Sequence, residues 1–153
     1  MDLKAFFETF FHELWIERDA GYARAVRSDT AGGLGLGHGY VDNARYREFH
    51  KLMCDTFPET RMEIVQAFQD GDERIALLLT FHAKTRSGRP IKIRGSAFAR
   101  VVRDRIVESE NLFDVVSLLA QAGIAKTPLS PPAGITFEEA VKTIQRSEAE
   151  RHD

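Results

Sequence analysis

Cysteine is almost missing from this chain: Cys54 stands alone, so no intramolecular disulfide can form. One thiol without Cys or His at ligand spacing also argues against a zinc site. No metal and no cofactor is expected, and a reducing, cytoplasmic setting fits. Charge of one sign is missing too. The 21 basic and 23 acidic residues leave a formal charge of -2 and are mixed along the chain, which leaves no electrostatic footprint for nucleic acid or an anionic membrane surface. Long apolar runs are absent as well. Met1-Asp2-Leu3-Lys4 leads into a segment broken by Glu8, His12 and Glu13, neither a secretory core nor a span of about twenty apolar residues. No targeting signal and no membrane partner are expected. Internal repeats and low-complexity tracts are likewise lacking.

Present instead are 153 residues, 43% of them hydrophobic, with eleven phenylalanines, enough for one domain with a sizeable core. Leu3, Phe6, Phe7, Phe10, Phe11, Leu14 and Trp15 recur at three- and four-residue spacing, predicting an amphipathic helix that ends near Asp19-Ala20-Gly21. A second helix is predicted from Asp42 as N-cap, with Tyr46, Phe49, Leu52 and Met53 inward, stopping before Pro58. The run from Gly32 to Gly39 between them reads as a mobile loop. It is no phosphate loop, since it lacks the Gly-Lys-Ser/Thr ending.

From Arg61 the pattern turns to strands over 62–69, 74–84, 91–102 and 106–113, with turns at Asp70-Gly71 and Ser87-Gly88. That is a four-stranded meander. Asp114 reads as the N-cap of a short helix stopped by Gly123. Pro128, Pro131 and Pro132 mark a stiff linker, and Thr136-Phe137-Glu138-Glu139 has capping-box spacing for a last helix with Ala140, Val141 and Ile144 as its apolar side. The organisation is therefore a pocket domain over 1–124, a Pro-rich linker over 125–135 and a helical extension over 136–153, in an α+β fold.

Alternation along 91–102 puts Ile91, Ile93, Gly95, Ala97, Ala99 and Val101 on one small apolar face. A hairpin tip at Arg103-Asp104-Arg105 pairs 99 with 109 and 97 with 111, so Ser109, Asn111 and Phe113 join that face. A two-residue turn at Ser87-Gly88 pairs 80 with 95 and 82 with 93. That brings Leu78, Thr80 and His82 inside and leaves Leu77, Leu79 and Phe81 outside. Small residues amid aromatic helices leave room for a ligand, with Thr80, His82, Ser109 and Asn111 as its polar contacts. His82 is the titratable candidate for acid/base work, and Asn111 the orienting donor. Trp15 lines the pocket or belongs to the core, and His38 sits on a loop able to reach the pocket mouth. Asp114 is a helix cap before it is a catalytic carboxylate. The outer face, with Phe98 and Leu112 among charges, suggests a sheet-to-sheet homodimer.

The order of helix, helix and hairpin-rich sheet carries Phe57-Pro58-Glu59, Asp70-Gly71-Asp72, Ile106-Val107-Glu108, Phe113-Asp114 and Leu119-Ala120-Gln121-Ala122-Gly123. Over roughly residues 3 to 124 this resembles the SnoaL-like polyketide cyclases, relatives of the ketosteroid isomerases in the nuclear transport factor 2-like, cystatin-like superfamily. The resemblance implies a cone-shaped α+β barrel, a curved antiparallel or mixed sheet around the N-terminal helices, commonly dimeric. It further implies an apolar cavity for cofactor-free enolate, aldol or hydration chemistry. In that family's frame the last-strand carboxylate position holds Asn111. The neighbouring-strand donor position holds Ala97, and the isomerases' general-base loop is the glycine run. Function is thus expected to be a cofactor-independent isomerase, cyclase or hydratase-like activity on a small apolar carbonyl compound. The alternatives are a non-catalytic binding module and a dimerisation module on the same fold.

Overall fold

Asp2 accepts a hydrogen bond from the Ala5 amide and opens α1 (Leu3–Phe11), whose Leu3, Phe7, Phe10 and Phe11 turn into the core. The computed structural model of the chain describes residues 1–37, 39, 41–124 and 136–152. The first helix is not one unbroken rod. At Phe11 it widens into a π-helical turn (His12–Ile16), where the Glu17 amide reaches the His12 carbonyl at 3.1 Å. The extra residue in that turn lets both Leu14 and Trp15 face inward. Arg18 then takes a left-handed backbone (φ 60). Its guanidinium donates to the carbonyls of Cys54, at 2.6 Å, and of Phe57, at 2.8 Å, at the end of a later helix. A cation there satisfies carbonyls that the helix itself cannot. Asp19 caps a short second helix, α2 (Ala20–Val26), where the sequence suggested only a stop.

The chain continues into β1 (Arg27–Leu34), so Gly32 and Gly33 belong to a strand rather than to the expected loop. The reason is close approach: a Cβ on Gly33 would stand 2.5 Å from Ser109 Oγ. Asp42 caps α3 (Asn43–Thr56) as expected, and that helix ends at Phe57 before Pro58. Then follow β2 (Glu59–Asp70), β3 (Arg74–Lys84), β4 (Pro90–Val102) and β5 (Arg105–Phe113), in the places the alternation predicted. α4 (Val115–Gln121) is capped by Asp114 and terminated near Gly123 (φ 80). α5 (Phe137–His152) starts from the reciprocal capping box of Thr136 and Glu139, each bond 3.1 Å. The expected linker over 125–135 and His38 lie outside the described residues.

The strands form one sheet in the order β1-β5-β4-β3-β2, with β1 parallel to β5 and the other pairs antiparallel. Among the described residues five strands replace the expected four, and the implied barrel is an open, curved sheet with β1 and β2 as its edges. One face packs against the helices in a single core. Leu3, Leu14, Leu118, Ala140, Val141 and Ile144 are all fully buried there, so α5 contributes to the same core as α1 and α4. No helix among the described residues is long and apolar enough to cross a membrane.

Candidate functional site

The inner face of β4 and β5 has the composition that the alternation predicted. Ala97 pairs with Asn111 and Ala99 with Ser109, and Gly95 pairs with Phe113. The hairpin tip is a two-residue turn at Arg103 and Asp104, both at positive φ. It is followed by a bulge that absorbs the shift between 100 and 101. Ala97 is buried, while Ser109, Asn111 and Phe113 are half-buried. Glycine at 95 is what admits the Phe113 ring, whose Cδ1 would lie 2.3 Å from a Cβ there.

The β3–β4 hairpin differs from expectation, and the difference moves two candidates. Thr85 hydrogen-bonds Arg89 across the hairpin, which leaves a three-residue turn ending on Gly88 (φ 88) rather than two residues. One added turn residue shifts the register by one: Leu79 faces Gly95 and Phe81 faces Ile93. Leu77, Leu79 and Phe81 are therefore inside, each at most 2% exposed, and burying them is a gain that outward placement would forfeit. His82 and Thr80 stand on the outer face. Thr80 is buried there at 3% exposure. His82 Nε2 lies 2.7 Å from a carboxylate oxygen of Glu63 on β2. That hydrogen bond holds the Glu63 carboxyl below its usual range, with the nearby charges of His82, Arg61 and Lys92 adding to the effect.

Trp15 belongs to the inner assembly through Phe81, at 5.6 Å between ring centroids. Phe81 also contacts Phe137, which stands edge-on to Phe113 at 5.2 Å and to Phe49 at 5.5 Å. Thus Trp15, Ala97, Ser109, Asn111 and Phe113 share the inner face and its aromatic shell. Phe137, the first residue of α5, closes that shell. Sequence reasoning missed Phe137, although the capping box directly before it was a signal that this ring begins a helix.

A second residue outside the sequence-derived site candidates is His50. It is buried, 5.3 Å from the Trp15 ring, with Nε2 2.7 Å from the Leu14 carbonyl and 3.6 Å from Cys54 Sγ. Burial works to lower the His50 pKa, but the Cys54 thiol and the Leu14 carbonyl outweigh it and hold it above its ordinary value. Burial works to raise the Cys54 thiol, and His50 with Arg18 outweigh that and hold it low.

A cavity of about 650 Å³ lies away from the inner face. It lies across the outer face, where Phe68, Phe98 and Leu34 meet Arg74, Arg100 and Glu110. Phe68 is 66% and Phe98 51% exposed. An open groove with apolar rings this exposed has the character of an interaction surface more than of an enclosed reaction chamber. The chemistry-bearing small residues of β4 and β5 point the other way.

A curved sheet wrapped around helices, with a small-residue patch on its inner strands, defines the ketosteroid isomerase-like, nuclear transport factor 2-like class of fold. The sequence profile of the SnoaL-like polyketide cyclase family matches residues 5–122, and the chain belongs to that family. Its solved relatives in shape are distant in sequence. IdmH of Streptomyces antibioticus, a proposed polyketide cyclase, superposes with a TM-score of 0.71 at 18% identity, covering 80% of this chain and 99% of its own. AclR of Streptomyces galilaeus, a proposed hydroxylase, gives 0.69 at 18% identity over 82% and 96%. A proposed SnoaL-like polyketide cyclase from Jannaschia gives 0.67 at 12% identity over 81% and 92%. No curated protein sequence matches the chain. Helix α5 lies wholly beyond the family-matched segment.

Proposed function

We propose that this protein is a cofactor-independent enzyme of enolate chemistry, of the cyclase or isomerase kind, acting on a small apolar carbonyl compound held against the inner face of β4 and β5. The observation that carries this reading is the patch of Gly95, Ala97, Ala99, Ser109 and Asn111, small side chains inside an aromatic shell, in a chain of the SnoaL-like family. Asn111 and Ser109 supply hydrogen bonds to the substrate carbonyl and to the oxyanion that develops on it. Neither side chain exchanges a proton at neutral pH. The substrate that fits is therefore one whose carbon acid lies between two carbonyls and ionises readily once its oxygen is held, its proton passing to solvent water. The substrate takes its place beside Phe113 and Phe137.

The test is deuterium exchange into an open-chain 1,3-diketone, followed by NMR. Asn111→Leu is expected to slow the exchange catalysed by the protein by about 10²-fold, the usual cost of one oxyanion donor, while His82→Ala leaves it unchanged. Loss of exchange in His82→Ala with retention in Asn111→Leu would overturn the assignment. A non-catalytic binding module is the second reading, favoured by the pairing of His82 with Glu63 on the outer face. Saturable binding of the diketone with no exchange above buffer would select it. We further propose that a second copy of the chain covers the outer groove.

A further inference from the structure

Away from the small-residue patch, a cavity of about 390 Å³ opens where α2, the start of β1 and the first turn of α3 meet. Arg24, Arg27 and Arg47 line it, and among its described lining residues Asp42 carries a carboxylate. That carboxylate is engaged in capping α3, accepting from the Arg45 amide at 2.9 Å. Arg27 is built in place. Only 3% exposed, it lies 4.2 Å over the Tyr46 ring and donates from Nε to Asn43 Oδ1 at 2.9 Å. Asn43 is fixed in turn through its own Nδ2, which donates to the Ser28 carbonyl at 2.6 Å. Stacking and a hydrogen bond at Nε set the plane of a guanidinium before any ligand arrives, and so reduce the ordering cost of binding. Arg24 and Arg47 are exposed, and among the described residues neither has an ion-pair or hydrogen-bond partner.

We infer that this cavity binds a compact anionic group, a phosphate or a carboxylate, with Arg27 as its fixed floor and Arg24 and Arg47 as its closing arms. Guanidinium forks match both oxyanions, and each charge-assisted contact is stronger than its neutral counterpart. The site is separate from the inner face of β4 and β5 and does not depend on the enzymatic reading.

The experiment is calorimetric titration of the full chain with inorganic phosphate and, separately, with acetate, at fixed ionic strength in chloride. Saturable binding of phosphate is expected, weakened about tenfold or more in Arg24→Gln/Arg47→Gln, as loss of two charge-assisted contacts requires. Both residues are exposed, so the double variant should keep the unfolding midpoint of the parent, which separates lost binding from lost fold. Binding of acetate alongside phosphate identifies carboxylate as a sufficient ligand, whereas binding of phosphate alone identifies a phosphoryl group. No saturable binding of either anion to the parent chain, or equal binding in the double variant, overturns the inference.

Discussion

Cys54 and His50 form a coupled pair one helical turn apart on α3, with Arg18 clamped over the end of the same helix. The thiolate, not the thiol, reacts with electrophiles. A thiol held low therefore alkylates faster at neutral pH than an ordinary cysteine, whose pKa is about 8.5. Iodoacetamide labelling of Cys54 across pH should give a midpoint below that of an unperturbed cysteine. His50→Gln removes the imidazole that does most to hold it low and leaves Arg18 alone to oppose burial, so the midpoint should move up; an unchanged midpoint would show that His50 does not tune the thiol. Gly35 offers a second test at this scale. Its backbone is left-handed (φ 96), and a Cβ there would fall 1.6 Å from the Asn111 carbonyl oxygen. Gly35→Ala should destabilise the protein by more than the ~1–2 kcal/mol of the backbone conformation alone, read by chemical denaturation, and should disturb the Asn111 amide resonance. Asn111 itself was legible in the sequence because the alternation of β4 fixed its face through a single hairpin. His82 was misplaced because its face depended on a turn whose length the dipeptide Ser87-Gly88 does not determine.

Elements were read more safely where a cap or a long period marked them than where geometry intervened. The caps at Asp42, Asp114 and Thr136 all lie where the sequence put them, since a side-chain acceptor before an apolar period has a local cause. The π turn after Phe11 and the strand through Gly32 and Gly33 were illegible, because both are imposed by partners distant in sequence: the sheet that receives Trp15, and β5. The docking of α5 was equally hidden. Its Ala140, Val141 and Ile144 are fully buried, and Phe137 joins Phe49, Phe81 and Phe113. Truncation of a buried phenylalanine costs about 3–5 kcal/mol, so Phe137→Ala should lower the denaturation midpoint markedly; an effect within experimental scatter would mean that α5 does not dock. Glu148 works in the opposite sense. Only 3% exposed, it accepts from Ser87 Oγ through one oxygen and leaves Oε2 buried without a partner among the described residues. An unsatisfied buried polar atom costs about 1–3 kcal/mol, and the exposed Ser87 hydroxyl can turn to water. Glu148→Met should therefore stabilise the fold, in contrast to nearly every other substitution at a buried position of α5.

At the scale of the whole molecule the two faces of the sheet have different tasks. The inner face is spent on the core and the small-residue patch, while the outer face carries rows that run across the strands. Phe68, Ala76, Phe98, Glu110 and Leu34 form one row, and Asp70, Arg74, Arg100 and Glu108 the next. Arg100 is tied to Glu73 and Glu108 within the chain, and the hydrogen bond to Glu73 raises its pKa above the ordinary value. A two-fold axis through the groove would set each chain's apolar row against its partner's and bring the basic centre of one charged row near the acidic ends of the other. Such self-complementarity is what an isologous interface requires. Leu112 and Val65, also exposed, extend the apolar area toward the roughly 800 Å² per partner of a stable interface. Sedimentation equilibrium should therefore give a dimer mass for the parent chain. Phe98→Glu, which puts a carboxylate at the centre of the contact beside Glu110, should give a monomer with an unchanged circular dichroism spectrum. Because the small-residue patch lies on the opposite face, that monomer should retain diketone exchange. A parent chain that sediments as a monomer would remove the second copy from the groove and leave its exposed phenylalanines open to a different occupant.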